Sequence, residues 1–137
     1  MKEKALLIAE KPSFMRSIKS AYEKCKDTLQ YDIDFTAQAG HLVELYDPIE
    51  LNPVYKSWDV DLLPILPQNE GGWKYKVKRS VKNVYNDIAS SIKSGKYDVI
   101  IHAGDADQEG ELLVRLVLNK IGNKLPVLRF WNHDTVE

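Results

Sequence analysis

The stretch Gly104-Asp105-Ala106-Asp107-Gln108-Glu109-Gly110-Glu111 follows the apolar run Tyr97-Asp98-Val99-Ile100-Ile101-His102-Ala103 and leads into Leu112-Leu113-Val114. Four carboxylates therefore fall within seven residues, at the place where a buried strand should turn into a helix. Like charges at such close range resist ionising together. A bound divalent cation makes the crowding favourable. Asp105, Asp107 and Glu109 supply oxygen ligands of the kind Mg²⁺ prefers, with room left for waters and substrate phosphates. The same residues also have a purely structural reading, because Asp and Glu favour a helix N-terminus.

Upstream, Ala5-Leu6-Leu7-Ile8-Ala9 is a continuous apolar run, as expected of a parallel strand covered on both faces. Glu10-Lys11-Pro12-Ser13 ends it, and Pro12 suits the first turn of a helix. Phe14, Met15, Ile18, Ala21, Tyr22 and Cys25 recur at helical spacing and predict an amphipathic helix facing the core. Tyr31 to Gln38 alternates and reads as a half-buried strand, followed by Ala39-Gly40-His41 and the short apolar Leu42-Val43-Glu44-Leu45. Between Asp47 and Gln68 stand four prolines and little periodicity, which predicts a long loop anchored by Tyr55, Trp58, Leu62, Leu63, Ile65 and Leu66. Such loops are usually functional when ordered.

Trp73 to Lys78 reads as a second alternating strand. Val81, Val84, Tyr85, Ile88, Ala89 and Ile92 predict a helix closed by Gly95. Leu112 to Ile121 predicts a largely buried helix ended by Gly122, and Val127 to Trp131 a last strand. Strands alternating with helices argue an α/β fold, with a mainly parallel central sheet flanked by helices. The 137 residues contain no visible internal boundary and are read as one domain.

Composition excludes several classes. A hydrophobic content of 44% and a charged content of 28% are those of an ordinary globular chain. The formal charge of -1 gives no bulk attraction to DNA or anionic lipid, so a nucleic-acid partner needs a local basic patch. The single Cys25 excludes an internal disulfide and fits a reducing compartment. No apolar run approaches a membrane span, and the five apolar residues after Met1-Lys2-Glu3-Lys4 are too few for a signal-peptide core. A cytoplasmic location with no membrane partner is the expectation. His41, His102 and His133 are scattered, and nothing suits zinc.

In an open parallel sheet the carboxyl ends of the strands share one edge, and ligands bind there. Glu10 and Asp105 each follow the carboxyl end of a predicted strand, so they become neighbours if those strands are parallel and close. Glu10 is then either a charged residue capping a strand or a general acid or base. His41, after a glycine, reads equally as a turn residue. Lys74, Lys76 and Lys78 share one strand face, continued by Arg79 and Lys82. Lysines that protect an edge strand explain this better than a phosphate-tracking patch, given the neutral overall charge.

Together these segments resemble the TOPRIM domain of topoisomerases, primases and some nucleases, whose signature is a glutamate after strand one and a later DxDxE motif. Here these are Glu10 and Asp105-x-Asp107-x-Glu109. The resemblance is nearest to the N-terminal domain of type IA, topoisomerase III-like enzymes, through Ala9-Glu10-Lys11-Pro12-Ser13, Ala39-Gly40-His41-Leu42, the Trp58 to Pro67 stretch, Asp105 to Leu112 and Arg129-Phe130-Trp131-Asn132. It runs from about Leu6 to Thr135 and implies a Rossmann-like TOPRIM domain over residues 1–137 of a longer, ATP-independent DNA topoisomerase.

The roles that the resemblance implies are these. Glu10 is the general acid/base at the scissile phosphodiester, and Lys11 stabilises charge at the phosphate. Asp105, Asp107 and Glu109 hold Mg²⁺, His41 lies near the site, and Glu111 supports the ligands from behind. The implied partners are single-stranded DNA and the remaining topoisomerase domains, which carry the catalytic tyrosine. None of the seven tyrosines here matches that one, so the isolated chain is expected not to relax DNA. The family usually has Arg where this chain has Gln108. Two other readings are a stand-alone metal-dependent TOPRIM nuclease using activated water, and a non-catalytic nucleic-acid-binding module.

Overall fold

The computed structural model describes residues 2–132. His133 and the end of the resembling segment at Thr135 lie outside the described residues. Strands β1 (Glu3–Ala9), β2 (Tyr31–Ala37), β5 (Val99–Ala103) and β6 (Val127–Arg129) form one sheet in the order β2-β1-β5-β6, every pairing parallel. The α/β reading therefore holds. Strands β3 (Val43–Leu45) and β4 (Tyr75–Val77) form a separate antiparallel ribbon.

The unbroken apolar runs of β1 and β5 follow from burial on both faces. Ala5, Leu7 and Ala9 of β1 join Val99, Ile101 and Ala103 of β5 on one face, covered by Phe14, Met15 and Ile18 of helix α1 (Pro12–Cys25). Leu6, Ile8 and Ile100 alternate to the other face. There they meet Ile88 and Ile92 of α3 (Lys82–Lys93) and Val114, Val117, Leu118 and Ile121 of α4 (Gln108–Ile121). Leu42 and Val43 close that core beside the ribbon.

Several local expectations are corrected. The apolar stripe of α1 is only partly used, because Ala21 and Cys25 are exposed and no residue of α1 is fully buried. The helix lies over one face of the sheet near its β2 edge, so only its inward turn-to-turn positions find cover. Helix α4 begins at Gln108 rather than Leu112, and Leu112 is 53% exposed, because the sheet covers only one side of the helix. The proline-rich segment is not featureless. It contains α2 (Pro48–Leu51), opened by a reciprocal capping box between Asp47 and Glu50, followed by short 3-10 turns. Asn52 and Tyr55 both donate to Glu70 and tie that segment back on itself. The predicted strand Trp73 to Lys78 pairs only over Tyr75–Val77, and the last strand stops at Arg129. Within the ribbon, Lys76 binds Glu50 at 2.5 Å and lies 3.7 Å from Glu44, which accords with the structural reading of that lysine. Among the described residues no helix is long and apolar enough to cross a membrane.

Candidate metal and acid–base site

Pairing of β1 with β5 puts Ala9 level with Ala103, so the chain leaves both strands at the same sheet edge. Glu10 follows directly on β1 and is 7% exposed. Its Oε2 accepts a hydrogen bond from the Asp105 backbone N–H at 3.3 Å. The Lys11 ammonium lies 3.0 Å from Asp105 Oδ2 and 3.6 Å from Glu10 Oε1, between the two carboxylates. Its hydrogen bond to Asp105, reinforced by both negative charges, raises the lysine above its ordinary proton affinity. Two residues 95 positions apart in the chain are thus brought into direct contact.

The ladder also delivers the Gly40-His41 turn. Gln38 N–H donates to Ala9 O at 2.8 Å and Gly40 N–H to Glu10 O at 3.4 Å. His41 Nε2 then lies 3.0 Å from Glu109 Oε1. Gln38 itself is fully buried with neither side-chain amide atom hydrogen-bonded, which marks the sheet edge next to Glu10 as polar and incompletely satisfied.

The remaining acidic side chains are held apart. Asp107 is the N-cap of α4, its Oδ1 accepting from Gly110 N–H at 2.6 Å, so the capped-helix reading describes this residue as it stands. Asp105 faces Lys11 and Glu109 faces His41. Among the described residues no three His, Cys, Asp or Glu side chains converge as a ready-made metal cage. The donor chemistry nonetheless fits a hard divalent cation. All the candidate ligands are carboxylate oxygens, and two carboxylates already gather round the Lys11 cation. Gln108, at the first position of α4, is exposed and lies outside that gathering.

Beneath the turn lies a network that the sequence did not disclose. His102, fully buried on β5, accepts from Gly104 N–H through Nδ1 at 3.1 Å. Its Nε2 therefore carries the proton and donates to Glu111 O at 3.2 Å. The Glu111 carboxylate accepts from Arg115 Nε at 2.8 Å and from Arg129 Nε at 2.7 Å. The Arg115 bond, with these surrounding positive charges, holds this carboxyl below the usual range. Glu111 thus sits on the first turn of α4, tied to β5 through His102 and to β6 through Arg129. The signal available in the sequence was faint: one histidine inside an apolar strand and one arginine at the end of another.

Both glycines of the turn are explained by close approach rather than by backbone sign. A Cβ on Gly104 would lie 2.3 Å from Gly110 O, and one on Gly110 would lie 2.4 Å from Asp105 O. The strand exit and the helix entry are in van der Waals contact through their backbones.

His102 carries a pH consequence. Burial pushes its imidazole below the ordinary value of 6.5, so the folded state prefers the neutral ring. The associated stability is fully present above that unfolded value and is lost as pH falls through the lower, folded one. Melting temperature measured from pH 7.5 downward should therefore begin to fall near pH 6.5, a shoulder absent from His102→Gln. The depressed Glu111 contributes at lower pH, its stabilisation present above 4.5 and lost on further acidification.

Fold and site together define a parallel α/β domain with carboxylates gathered at the carboxyl edge of its two central strands. The Toprim domain matches residues 5–134, and the chain belongs to that family. It is similar to DNA topoisomerase 3 of Staphylococcus epidermidis, 37% identical over 132 residues, and to DNA topoisomerase 3 of Staphylococcus aureus, 35% identical over 134 residues. In both cases the alignment covers 93% of this chain and 18% of the relative. Toprim domains of topoisomerases are generally metal-dependent.

Proposed function

We propose that residues 1–137 form a single Toprim domain, the metal-binding and acid–base half of a type IA topoisomerase active site. The observation that carries this reading is the parallel pairing of β1 with β5, which brings Glu10 against Asp105 with Lys11 between them. In this reading Asp105, Asp107 and Glu109 hold Mg²⁺, which when bound neutralises charge on the scissile phosphate. Single-stranded DNA is the substrate, and the tyrosine that attacks it belongs to another part of the enzyme. A cytoplasmic location goes with that substrate.

The residues of this chain then divide the work. As the tyrosine hydroxyl loses its proton to solvent and its oxygen bonds to phosphorus, the bond from phosphorus to the leaving sugar oxygen breaks, and Glu10, in its acid form for this step, gives that oxygen its proton. In resealing, Glu10 takes the proton back. Lys11 stands where its ammonium stabilises charge growing on the phosphoryl oxygens. His41, held on Glu109, lies beside the ligands, and Glu111 braces the turn through His102, Arg115 and Arg129.

The reading is tested by placing this chain in the matching region of a full-length DNA topoisomerase 3. The hybrid should relax negatively supercoiled plasmid in Mg²⁺, and Glu10→Gln should slow it by roughly 100-fold or more. Undiminished relaxation by the Glu10→Gln hybrid would remove the acid–base role. Mg²⁺-dependent cutting of single-stranded DNA by the 137-residue chain alone would favour the nuclease reading instead.

A further inference from the structure

Arg129 ends the three-residue strand β6, level with His102 of β5. Its guanidinium donates through Nη1 to the carbonyl oxygens of His102 at 3.2 Å, Gly104 at 2.9 Å and Phe130 at 2.5 Å. Through Nη2 it donates to Asp105 O at 2.8 Å, and through Nε to Glu111 Oε2 at 2.7 Å. One side chain therefore takes up carbonyls along the strand exit that carries Asp105, and also a carboxylate on the first turn of α4. The Gly104 and Asp105 carbonyls lie past the end of the β5 ladder and before the helix, where regular structure supplies no backbone partner. A planar fork with donors at fixed angles can serve these acceptors all at once; a lysine ammonium is a point charge with three donors and cannot.

We propose that Arg129 is a positioning residue for the metal site, setting the backbone of the acidic turn before any cation arrives. It touches no proposed ligand oxygen. It acts by fixing the peptide units on either side of Asp105, whose N–H meets Glu10 and whose carboxylate meets the Lys11 ammonium. The Arg129 ring contact, with its guanidinium 4.6 Å from the centre of Trp131, restrains the fork from its other face. The inference rests on the divalent-cation reading of Asp105, Asp107 and Glu109.

The test uses the 137-residue chain, with Mn²⁺ as the probe in water-proton relaxation titrations and with amide hydrogen exchange. In metal-free wild type the Asp105 and Gly110 amides should exchange slowly. Exchange that is fast without metal and slows only on adding Mg²⁺ would overturn the proposal, since the cation and not Arg129 would then order the turn. Arg129→Lys and Arg129→Gln should each bind Mn²⁺ at least tenfold more weakly. Ile92→Ala, a remote core variant that lowers the melting temperature, should bind as wild type does. A folded Arg129 variant with wild-type Mn²⁺ affinity would also overturn it. Absence of Mn²⁺ binding by wild type, with the slow exchange retained, would instead sink the cation reading on which the proposal rests.

Discussion

Gly110→Ala should lower the melting temperature by roughly 10 °C, a loss of about 3 kcal/mol for a chain of this size. The added methyl would lie 2.4 Å from Asp105 O and 2.5 Å from Asp105 N, both backbone atoms that cannot rotate away. Alanine at a helical position contributes up to about 1 kcal/mol relative to glycine, which opposes the clash without cancelling it. The turn must open, and Asp105 moves with it. Gly95→Ala separates this effect from simple loss of backbone freedom. Gly95 has φ +71°, and an added Cβ would meet nothing within 4 Å, so that variant carries only the left-handed strain of about 1–2 kcal/mol. Differential scanning calorimetry of the two variants checks the prediction. Equal losses would show that the contact between strand exit and helix entry is looser than described.

Asp105→Asn and Lys11→Met should move divalent-cation affinity in opposite directions. Removal of groups that merely orient metal ligands costs about 10–100-fold in affinity, so loss of the charge at Asp105, a ligand in the proposed reading, should cost at least about 100-fold. Lys11→Met removes an ammonium 3.0 Å from Asp105 Oδ2 and 3.6 Å from Glu10 Oε1. That cation occupies the space between the carboxylates and competes for their charge. Its removal should raise Mn²⁺ affinity about tenfold, equivalent to about 1.4 kcal/mol, the low, bulk-water end for unit charges about 3 Å apart, as suits an exposed lysine. Neither change should shift the melting temperature by more than a few degrees, because the Lys11–Asp105 pair is solvent-exposed and such pairs stabilise little. Mn²⁺ titration in the absence of DNA reads both variants. A Lys11→Met protein that binds more weakly would mean that the lysine supports the cation rather than standing in for it.

Much of the candidate site was legible along the chain because its chemistry is local. The Asp105-x-Asp107-x-Glu109 spacing, the glycines at 104 and 110, and Glu10 directly after an apolar run all sit in contiguous segments. The same locality explains the α/β pattern, since strands buried on both faces must be continuously apolar and helices must repeat near 3.6 residues. The departures are local too. Periodicity places Leu112 and Cys25 on buried faces, yet both are exposed. It names the apolar side of a helix and not how much sheet lies under it.

By itself, then, the sequence determined which segments become strands and helices and which carboxylates crowd one turn, because those depend on near neighbours. Only the tertiary structure decided that β1 lies beside β5 and that Lys11 bridges Glu10 and Asp105. It alone revealed that Asp107 caps α4 while Glu109 reaches His41, and that His102 and Arg129 hold the turn from below. The physical reason is separation along the chain. Unpaired carbonyls at a strand exit create a demand for donors, but nothing in their own segment specifies which distant side chain will meet it.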